Sequence, residues 1–247
     1  MATTLLPRDG SPNTDWPTAF PPELAEHGTL VHTRPGQPLP LSLSGKETVF
    51  FVRMATLLFR LSLADDLRQG VTLLYPGDLF RSAFAPSGAA ASLVSLTSGE
   101  VLRYRYDAFF DLLEANSDAR RYFDQAIARQ TARQAIHLAA VGQLDSEQRL
   151  VSFLVELATQ IGVAASDGRV VFEMPLSRSE VAEYLGLNAD TLSRIMSRLR
   201  GKDYLTQPDR HTVFVRNLSE LAALSPASGS LMALRRSNEA SPASAEP

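Results

Sequence analysis

Apolar and polar residues alternate in two different ways along this 247-residue chain. From about residue 30 to 106, short apolar runs are separated by turn residues, which is typical of the strands of a β-roll or barrel. The runs are 49–52, 57–61, 71–75 and 101–104. Later residues instead repeat their apolar positions at helical spacing. The pattern therefore predicts an α+β fold, with a sheet domain first and helices after it.

The helical part begins with a short predicted helix at 107–113 and a long one from 117 or 118 to about 142. The apolar and small residues on one side of the long helix are Ile127, Ala128, Thr131, Ala135, Leu138 and Val141. Polar residues interrupt this side, so it is a poor coiled-coil seam. The pattern alone is compatible with packing on the chain's own β-roll and with pairing to a second copy.

A second amphipathic helix follows a predicted hinge at 143–146. It covers about 149–161, and its apolar residues at 150, 153, 154, 157, 158 and 161 form one stripe. A short strand-like run at 170–172 comes next. This segment therefore leads from the long helix into a further small domain.

The stretch 175–205 predicts two short helices joined by a tight turn. Ser177 and Glu180 have the spacing of a capping box, in which each side chain accepts from a backbone amide of the first turn. Gly186 can end the first helix in the left-handed conformation, and Asn188 can cap the second. This arrangement is typical of a helix-turn-helix.

The second helix of this pair has two unlike sides. Its apolar residues are Leu192, Ile195, Met196 and Leu199. Its opposite side carries Asp190, Ser193, Arg194 and Ser197. An arginine among small polar residues suits the major groove of DNA, where guanine offers two acceptors to one guanidinium.

Composition places limits on the class of protein. The 45% apolar and 21% charged residues are those of an ordinary soluble protein. No apolar run approaches the roughly 20 residues that span a bilayer, and the first 17 residues lack a secretory signal. We therefore expect a cytoplasmic location and no membrane partner. The absence of cysteine excludes disulfides, thiolate zinc sites and cysteine-ligated iron–sulfur clusters.

The charge distribution adds modest support for a nucleic-acid partner. The net charge of −3 argues against non-specific coating of nucleic acid. Between residues 177 and 216, however, there are seven Arg and Lys residues and five Asp and Glu residues. Basic groups are therefore concentrated around the predicted helix-turn-helix, although a solvated surface would look similar.

The stretch 175–205 resembles the DNA-binding motif of the Crp/Fnr family of bacterial transcription regulators, in the branch that includes the FixK-like proteins. The recognition helix of that branch carries Glu-x-x-Ser-Arg, and residues 190–194 here read Asp-Thr-Leu-Ser-Arg. The resemblance continues through residues 198–205 into a predicted wing at 212–215.

A second segment carries the same resemblance. Residues 74–79, Leu-Tyr-Pro-Gly-Asp-Leu, resemble the Leu-x-Pro-Gly-Asp-Leu segment of the family's sensor domain, while 30–70 match it loosely. The resemblance implies a cyclic-nucleotide-binding-like β-roll, a long dimerisation helix and a C-terminal winged helix-turn-helix. It also implies a homodimer that binds a TTGA-type palindrome in double-stranded DNA, contacts RNA polymerase and activates transcription.

The resemblance assigns base reading to Asp190, Ser193 and Arg194. Arg194 would engage guanine, Ser193 an adjacent base, and Asp190 an amino group of cytosine or adenine. Asp190 departs from the family's glutamate, and its shorter side chain puts the contact at that base pair in doubt. Phosphate contacts are expected from residues near helix starts and in the wing. These are Arg178, Ser179, Thr191, Arg198 and His211. For each residue, the alternative is an ordinary solvent-exposed side chain.

Five segments follow from these patterns. They are a flexible arm at 1–20, a β-roll sensor-like domain at 21–116, a dimerisation helix at 117–143, a winged helix-turn-helix domain at 144–224, and a disordered tail at 225–247. The DNA-binding segment would close with a short helix at 218–224.

Cyclic AMP is not an expected effector. Its recognition in this family needs a glutamate for the ribose and an Arg-Ser pair for the phosphate. Alignment on the Pro-Gly-Asp turn places Asp78 at the glutamate position and Ala89 and Ala90 at the pair. A buried phosphate without a cationic partner is unfavourable by several kcal/mol or more.

A haem-dependent gas-sensing regulator of the same family is an alternative interpretation. Axial ligation could come only from His27, His32, His137 and His211, and none lies in a distinctive setting. No other cofactor and no metal is expected. An iron–sulfur sensor is excluded by the absence of cysteine.

Two functions of other classes compete with this interpretation. Enzymatic chemistry on a cupin-like β-roll needs clustered histidines and carboxylates, but this region offers only His27 and His32. No nucleophile elbow, phosphate-binding glycine loop or HExxH motif occurs. A signalling module that does not bind DNA would not need Ser193 and Arg194 on the outward face. We therefore predict a DNA-binding regulator and not an enzyme.

Overall fold

The computed structural model describes residues 20–43, 45–64 and 67–239. It contains an N-terminal β-roll, a long helix and a helical C-terminal unit with a small sheet of its own. The fold class predicted from the sequence is confirmed.

The N-terminal unit begins with helix α1 (Pro22–His27) and contains nine strands and one short 3-10 helix (Ser82–Phe84) within the described residues. The strands are β1 (Thr29–Thr33), β2 (Pro38–Leu39), β3 (Ser42–Leu43), β4 (Lys46–Val52), β5 (Leu57–Ala64), β6 (Leu67–Leu74), β7 (Leu79–Arg81), β8 (Ala90–Ser95) and β9 (Gly99–Arg105). One antiparallel sheet has the order β1-β9-β4-β3, with β7 also paired to β4. The other has the order β2-β8-β5-β6.

The second half of the chain is mainly helical. Its elements are α2 (Tyr106–Ala115), α3 (Ser117–Gln143), α4 (Ser146–Gln160), β10 (Val163–Ala164), β11 (Val170–Glu173), α5 (Arg178–Leu185), α6 (Ala189–Gly201), β12 (Leu205–Thr206), β13 (Thr212–Val215), α7 (Leu218–Ala222) and α8 (Ser228–Glu239). The four short strands form one antiparallel sheet in the order β10-β11-β13-β12.

Strand β4 is buried on both faces, which explains its uninterrupted apolar sequence. Phe50 and Val52 belong to the core between the two β-roll sheets. Val49 and Phe51 belong to a second core, which the β-roll shares with α2 and α3. Strand β4 therefore joins the β-roll to the helices that follow it.

The predicted flexible arm at 1–20 lies outside the described residues, except for Phe20. The ring of Phe20 lies 4.4 Å from that of Phe51 and 5.4 Å from that of Tyr122, measured between centroids. The end of this segment is therefore packed against the β-roll and α3.

The prediction of a disordered tail at 225–247 is wrong for residues 228–239, which form α8. Leu231 is 3% exposed and, with Met232, packs into the core of the C-terminal unit. Leu231 and Met232 provide this apolar contact within a segment that is rich in serine and alanine. Residues 240–247 lie outside the described part of the chain.

The long helix α3 has one face buried by the rest of the chain and one face exposed. The buried residues are Ala119, Tyr122, Ala126, Gln130, Arg133 and Ala140. On the opposite side, Leu138 is 74% exposed and Ala128, Thr131 and Ala135 are also exposed. An apolar residue this exposed at the centre of a helix face is a candidate for contact with another chain.

Helix α5 of the C-terminal unit is attached to strands β5 and β6 of the β-roll. Arg60 forms an ion pair with Glu180, the capping-box glutamate of α5. The Gly70 amide donates to Glu183 Oε1 at 3.1 Å, and Gln69 Nε2 donates to the Glu183 carbonyl at 3.1 Å. These polar contacts fix the helix on the sheet at three points.

Gly70 permits this close approach because it has no side chain. A Cβ atom there would lie 3.3 Å from atoms of Leu58 and of Tyr184 on α5. The apolar core of the C-terminal unit accordingly includes residues of the β-roll, which are Leu58, Leu73 and Tyr75. The two units share one hydrophobic core.

Behind this contact lies a buried polar cluster of four side chains. Asp78, in the turn after β6, pairs with Arg133 of α3 and accepts from the Tyr75 amide at 2.9 Å. The Tyr75 hydroxyl donates to Glu156 Oε1 of α4 at 2.9 Å. Burial raises the pKa of both carboxyl groups, and the nearby Arg133 partly offsets this effect.

His137 of α3 stacks on Tyr184 of α5, with ring centroids 4.1 Å apart and ring planes 19° from parallel. Burial lowers the pKa of His137 to about 4 because the charged imidazolium loses its hydration. The ring is therefore neutral at physiological pH.

We expect replacement of His137 by phenylalanine to reduce the acid sensitivity of the protein. Unfolded His137 takes up its proton near pH 6.5, whereas the folded form takes it up near pH 4. Stability is thus lost as the pH falls through this window, by about 2–3 kcal/mol at pH 4. Phenylalanine keeps the stacking and removes the proton, so unfolding in urea at pH 7 and pH 4 should differ less than in wild type.

The matched control is His27→Phe, which changes an exposed histidine on α1. Its pH dependence should equal that of wild type. If His137→Phe and His27→Phe show the same acid dependence, His137 is not responsible for it.

Candidate nucleic-acid interface

The two-helix motif is built by the capping interactions that the sequence predicts. The Ser177 amide donates to Glu180 Oε2 at 2.8 Å, and the Glu180 amide donates to Ser177 Oγ at 3.3 Å. Gly186 ends α5 with φ at +61°, a conformation that favours glycine. The side chain of Asn188 then accepts from the Asp190 amide at 2.8 Å and starts α6.

Helix α6 buries one side and exposes the other. Leu192, Ile195 and Leu199 are at most 2% exposed and anchor the helix on the C-terminal unit. The turn and the two caps set the direction in which α6 leaves α5, and the anchor residues set its rotation. The remaining face is therefore presented in a defined orientation.

That remaining face carries the three residues predicted to read bases. Asp190 and Arg194 are exposed, and Ser193 is half-buried. Ser193 Oγ donates to the Ala189 carbonyl at 2.9 Å, and Arg194 Nε donates to the Asp190 carbonyl at 3.4 Å. Neither Asp190 nor Arg194 forms a side-chain ion pair with any residue in the described part of the chain. Their charged ends are available to a ligand.

A groove of about 580 Å³ lies beside this face, between the start of α5, helix α6 and the wing turn. Its polar lining consists of Ser177, Arg178, Gln207, Arg210 and His211. The structure thus brings Arg178 and His211 together, although they are far apart in sequence. Arg210 was not singled out by the sequence argument, although its place in the wing turn beside His211 is a signal that could have identified it.

The other residues predicted to contact phosphates differ in their exposure and in whether their side chains already have a partner. Ser179 is exposed, and its hydroxyl lies 3.1 Å from that of Ser177. Thr191 is half-buried in the first turn of α6. Arg198 donates to Glu147 Oε2 on α4 at 2.6 Å, so a phosphate at Arg198 would have to share or displace that ion pair.

Most acidic residues of this region are already engaged by other groups. Those engaged are Glu180, Glu183, Asp203 and Asp209. Asp209, for example, accepts from the backbone amides of His211 and Thr212, both at 2.7 Å, and these bonds lower its pKa. Asp190 is the one acidic residue of α6, and it lies on the outward face of this helix.

The positions considered for a cyclic nucleotide have other roles. Asp78 is paired with Arg133 and accepts a hydrogen bond from the Tyr75 amide. Ala90 begins β8 and offers no charge to a phosphate. These residues do not form the acid and Arg-Ser arrangement that the family uses for the nucleotide.

The four histidines lie apart from one another. His27 Nδ1 is 2.8 Å from the Glu23 carbonyl, and His32 Nδ1 is 3.6 Å from Glu100 Oε1. His137 stacks on α5, and His211 lies in the wing. No group of three metal-binding side chains occurs in the described part of the chain. Over the same residues, no helix combines the length and apolar character needed to cross a bilayer.

Comparison with known sequences agrees with this geometry. A family model described as the Crp-like helix-turn-helix domain matches residues 148–224. The chain is 27% identical over 170 residues to the nitrogen fixation regulation protein FixK of Rhizobium meliloti, covering 69% of this chain and 74% of that protein. It is 28% identical over 179 residues to the transcriptional regulatory protein btr of Bordetella pertussis, covering 72% of this chain and 73% of that protein.

Comparison with solved structures finds the same fold. FixK2 from Bradyrhizobium japonicum superposes with a TM-score of 0.66 at 21% identity, over 80% of this chain and 97% of that chain. A CooA mutant from Carboxydothermus hydrogenoformans gives a TM-score of 0.66 at 17% identity, over 83% of this chain and 90% of that chain. At these identities the likeness establishes the fold alone.

Proposed function

The chain belongs to the Crp/Fnr family of transcription regulators and is of the FixK type, and from this premise we propose that it activates transcription as a homodimer bound to a TTGA-type palindrome. It is a DNA-binding regulator rather than an enzyme. The observation that carries the proposal is the outward face of α6, where Asp190, Ser193 and Arg194 stand clear of the core.

Helix α6 is proposed to enter the major groove. Arg194 would donate two hydrogen bonds to guanine O6 and N7, and Ser193 would contact the neighbouring base. Ser193 now donates to the Ala189 carbonyl, and its oxygen can still accept from a base amino group. Phosphates on either side would be held by Arg178, Ser179 and His211, with Arg210 added to them.

Asp190 limits the specificity with which the innermost base pair is recognised. Its side chain is one methylene shorter than the family's glutamate, and it projects from the first turn of α6. We propose that it contacts a cytosine or adenine amino group through a water molecule. Discrimination at this base pair is then weaker than at the guanine read by Arg194.

The exposed face of α3 is proposed to be the dimer seam. Leu138 is 74% exposed there, beside small residues that allow two helices to approach closely. Two copies related by a twofold axis would present their α6 helices to half-sites about one DNA turn apart. A bound dimer would act on RNA polymerase in the cytoplasm, where the bacterial chromosome lies. The proposal includes no cyclic nucleotide, iron–sulfur cluster or haem.

The test is selection of binding sites from a pool of random duplexes, read by sequencing. Wild-type protein should enrich a palindrome with TTGA-type half-sites. Leu138→Glu should sediment as a monomer, because two like charges at a seam oppose its closure, and it should lose the palindrome. The matched control is Gln125→Glu, a charge change at an exposed position of the same helix that lies outside the row of residues proposed as the seam.

Enrichment of no common sequence by the wild-type protein would refute sequence-specific binding. A palindrome that Leu138→Glu retains together with a dimeric mass would place the seam elsewhere. The two parts of the proposal are therefore tested separately.

A further inference from the structure

A second cavity, which shares no lining residue with the groove beside α6, lies where the β-roll, α3, α4 and α8 meet. Its volume is about 220 Å³. The turn after β6 contributes Pro76, Gly77 and Asp78, and α8 contributes Leu234 and Arg235. The remaining walls come from α3 and from the end of α4. The cavity thus touches both the sensor-like unit and the C-terminal unit.

The charged lining of this cavity is predominantly basic. Arg129, Arg133 and Arg235 face it, against the single carboxylate of Asp78. Arg133 is already paired with Asp78. Arg129, half-buried on α3, forms no ion pair within the described residues, and Arg235 is linked to the Ala158 carbonyl at 3.5 Å. An anion in the cavity would therefore meet more basic than acidic side chains.

A buried hydroxyl in the same wall lacks a partner. Tyr122 is 7% exposed, and its hydroxyl has no hydrogen bond within the described part of the chain. Tyr122 lines the cavity together with Asp78, Arg129 and Arg133. A buried donor without a partner is unfavourable by about 1–3 kcal/mol, so such groups usually serve a ligand or an ordered water.

We propose that this cavity is a binding site for a small organic dianion, held by Arg129, Arg235 and the Tyr122 hydroxyl. Guanidinium groups bind carboxylate and phosphate oxygens through paired hydrogen bonds, and the hydroxyl adds a third donor. Arg133 adds a positive charge to the cavity wall, while its own hydrogen bond goes to Asp78.

The size of the cavity restricts the ligand. At about 30 Å³ of liquid volume per water molecule, the space corresponds to roughly seven waters. A short dicarboxylate or a phosphate monoester of a three-carbon alcohol fits this space. The proposed ligand is thus a small metabolite with two negative charges.

Such a ligand would link the parts of the molecule that surround it. Its donors lie on α3 and α8, and its cavity is closed by the turn after β6. A ligand that binds one arrangement of these elements better than another shifts the protein toward that arrangement. An effect on DNA binding rests on the proposed function, whereas the binding itself does not.

The experiment measures ligand binding to the full chain without DNA, by calorimetry and by melting temperature at constant ionic strength. The probes are succinate, glycerol 3-phosphate and inorganic phosphate, with chloride as the reference anion. At least one of the two organic dianions should bind and raise the melting temperature. Succinate alone would identify a carboxylate site, and glycerol 3-phosphate alone a phosphate site.

Three variants locate the binding. Arg129→Gln should weaken it about tenfold or more, since a charge-assisted hydrogen bond is lost. Tyr122→Phe should weaken it about threefold to tenfold, without lowering the melting temperature of the free protein, because the hydroxyl has no partner to lose. Arg120→Gln, an exposed change on the same helix, should bind as wild type does.

Three results would overturn the proposal. They are no binding of either organic dianion beyond that of chloride, binding by Arg129→Gln as tight as by wild type, and equal weakening in the Arg120→Gln control. If the dianion binds but leaves the affinity for the selected duplex unchanged, the site stands and its link to DNA binding fails.

Discussion

Replacing Arg194 by alanine is expected to remove most of the sequence preference of the dimer. A bidentate arginine–guanine contact is worth about 1–3 kcal/mol, and a palindrome contains two such contacts. If they add, the loss is about 2–6 kcal/mol, or roughly 30-fold to 10⁴-fold in affinity. The exposed side chain supports no core contact, so the melting temperature should remain that of wild type. The measurement is fluorescence anisotropy on the selected duplex and on a scrambled one.

Arg178 provides the contrast that separates base reading from phosphate binding. Arg178→Ala should weaken binding to the selected and scrambled duplexes by the same factor and reduce the slope of log affinity against log salt. Arg120→Ala, on α3, should change neither. If Arg194→Ala behaves as Arg178→Ala does, Arg194 contacts the backbone, and another residue of α6 reads the guanine.

Replacing Arg133 by methionine is expected to destabilise the fold by about 3–5 kcal/mol, because a buried carboxylate loses its counter-charge. Arg133 is the guanidinium between Asp78 and Glu156, which are 3% and 6% exposed. Methionine keeps much of the volume of the side chain but leaves both acids without a cation. Urea unfolding at pH 7, followed by circular dichroism, measures the loss.

The sign of the pH dependence tests this explanation. Without Arg133, the folded-state pKa values of Asp78 and Glu156 rise further above their unfolded values. Stability that depends on a carboxyl with a raised pKa is present in acid and lost as the pH increases through that pKa. The deficit of Arg133→Met should therefore shrink as the pH is lowered from 7 to 5.

An exposed ion pair serves as the control for the buried one. Arg121 pairs with Asp118 on the surface of α3, and both side chains are about two-thirds exposed or more. Arg121→Met should change the free energy of unfolding by less than about 0.5 kcal/mol. A similar small change in Arg133→Met, or a deficit that grows in acid, would contradict the role assigned to the buried pair.

The helix-turn-helix could be predicted because the residues that specify it lie close together in the sequence. The capping box of Ser177 and Glu180, the left-handed Gly186 and the Asn188 cap each act within four residues. The rotation of α6 follows equally from the spacing of Leu192, Ile195 and Leu199. Each of these residues acts on neighbours within about one helical turn, so its effect can be recognised in the sequence without knowledge of the fold.

Contacts between distant parts of the chain could not be predicted in this way. Arg60 and Glu180 are 120 residues apart, and Asp78 and Arg133 are 55 apart. Nothing in the pattern around Arg133 distinguishes it from a surface arginine of the same helix. The pairing depends on how α3 packs against the turn after β6, and this is a property of the assembled fold.

The same limit applies to parts of the candidate site. The apolar contact of Leu231 outweighs the tail composition that predicted disorder, and this becomes visible only when α4 is in place. Arg198 was assigned to phosphate from its position on α6, but its partner Glu147 lies on another helix. The roles of Asp190, Ser193 and Arg194 stay predictions until DNA binding is measured.

The attachment of α5 to the β-roll limits how this protein can be divided or recombined. A fragment that starts at the hinge near residue 144 would leave behind Leu58, Leu73 and Tyr75, which complete its hydrophobic core. Its exposed apolar surface would favour aggregation. A chimaera that exchanges the C-terminal unit for that of a relative must therefore carry matching residues at Arg60 and Gly70. The β-roll and the C-terminal unit of this chain are therefore not interchangeable modules.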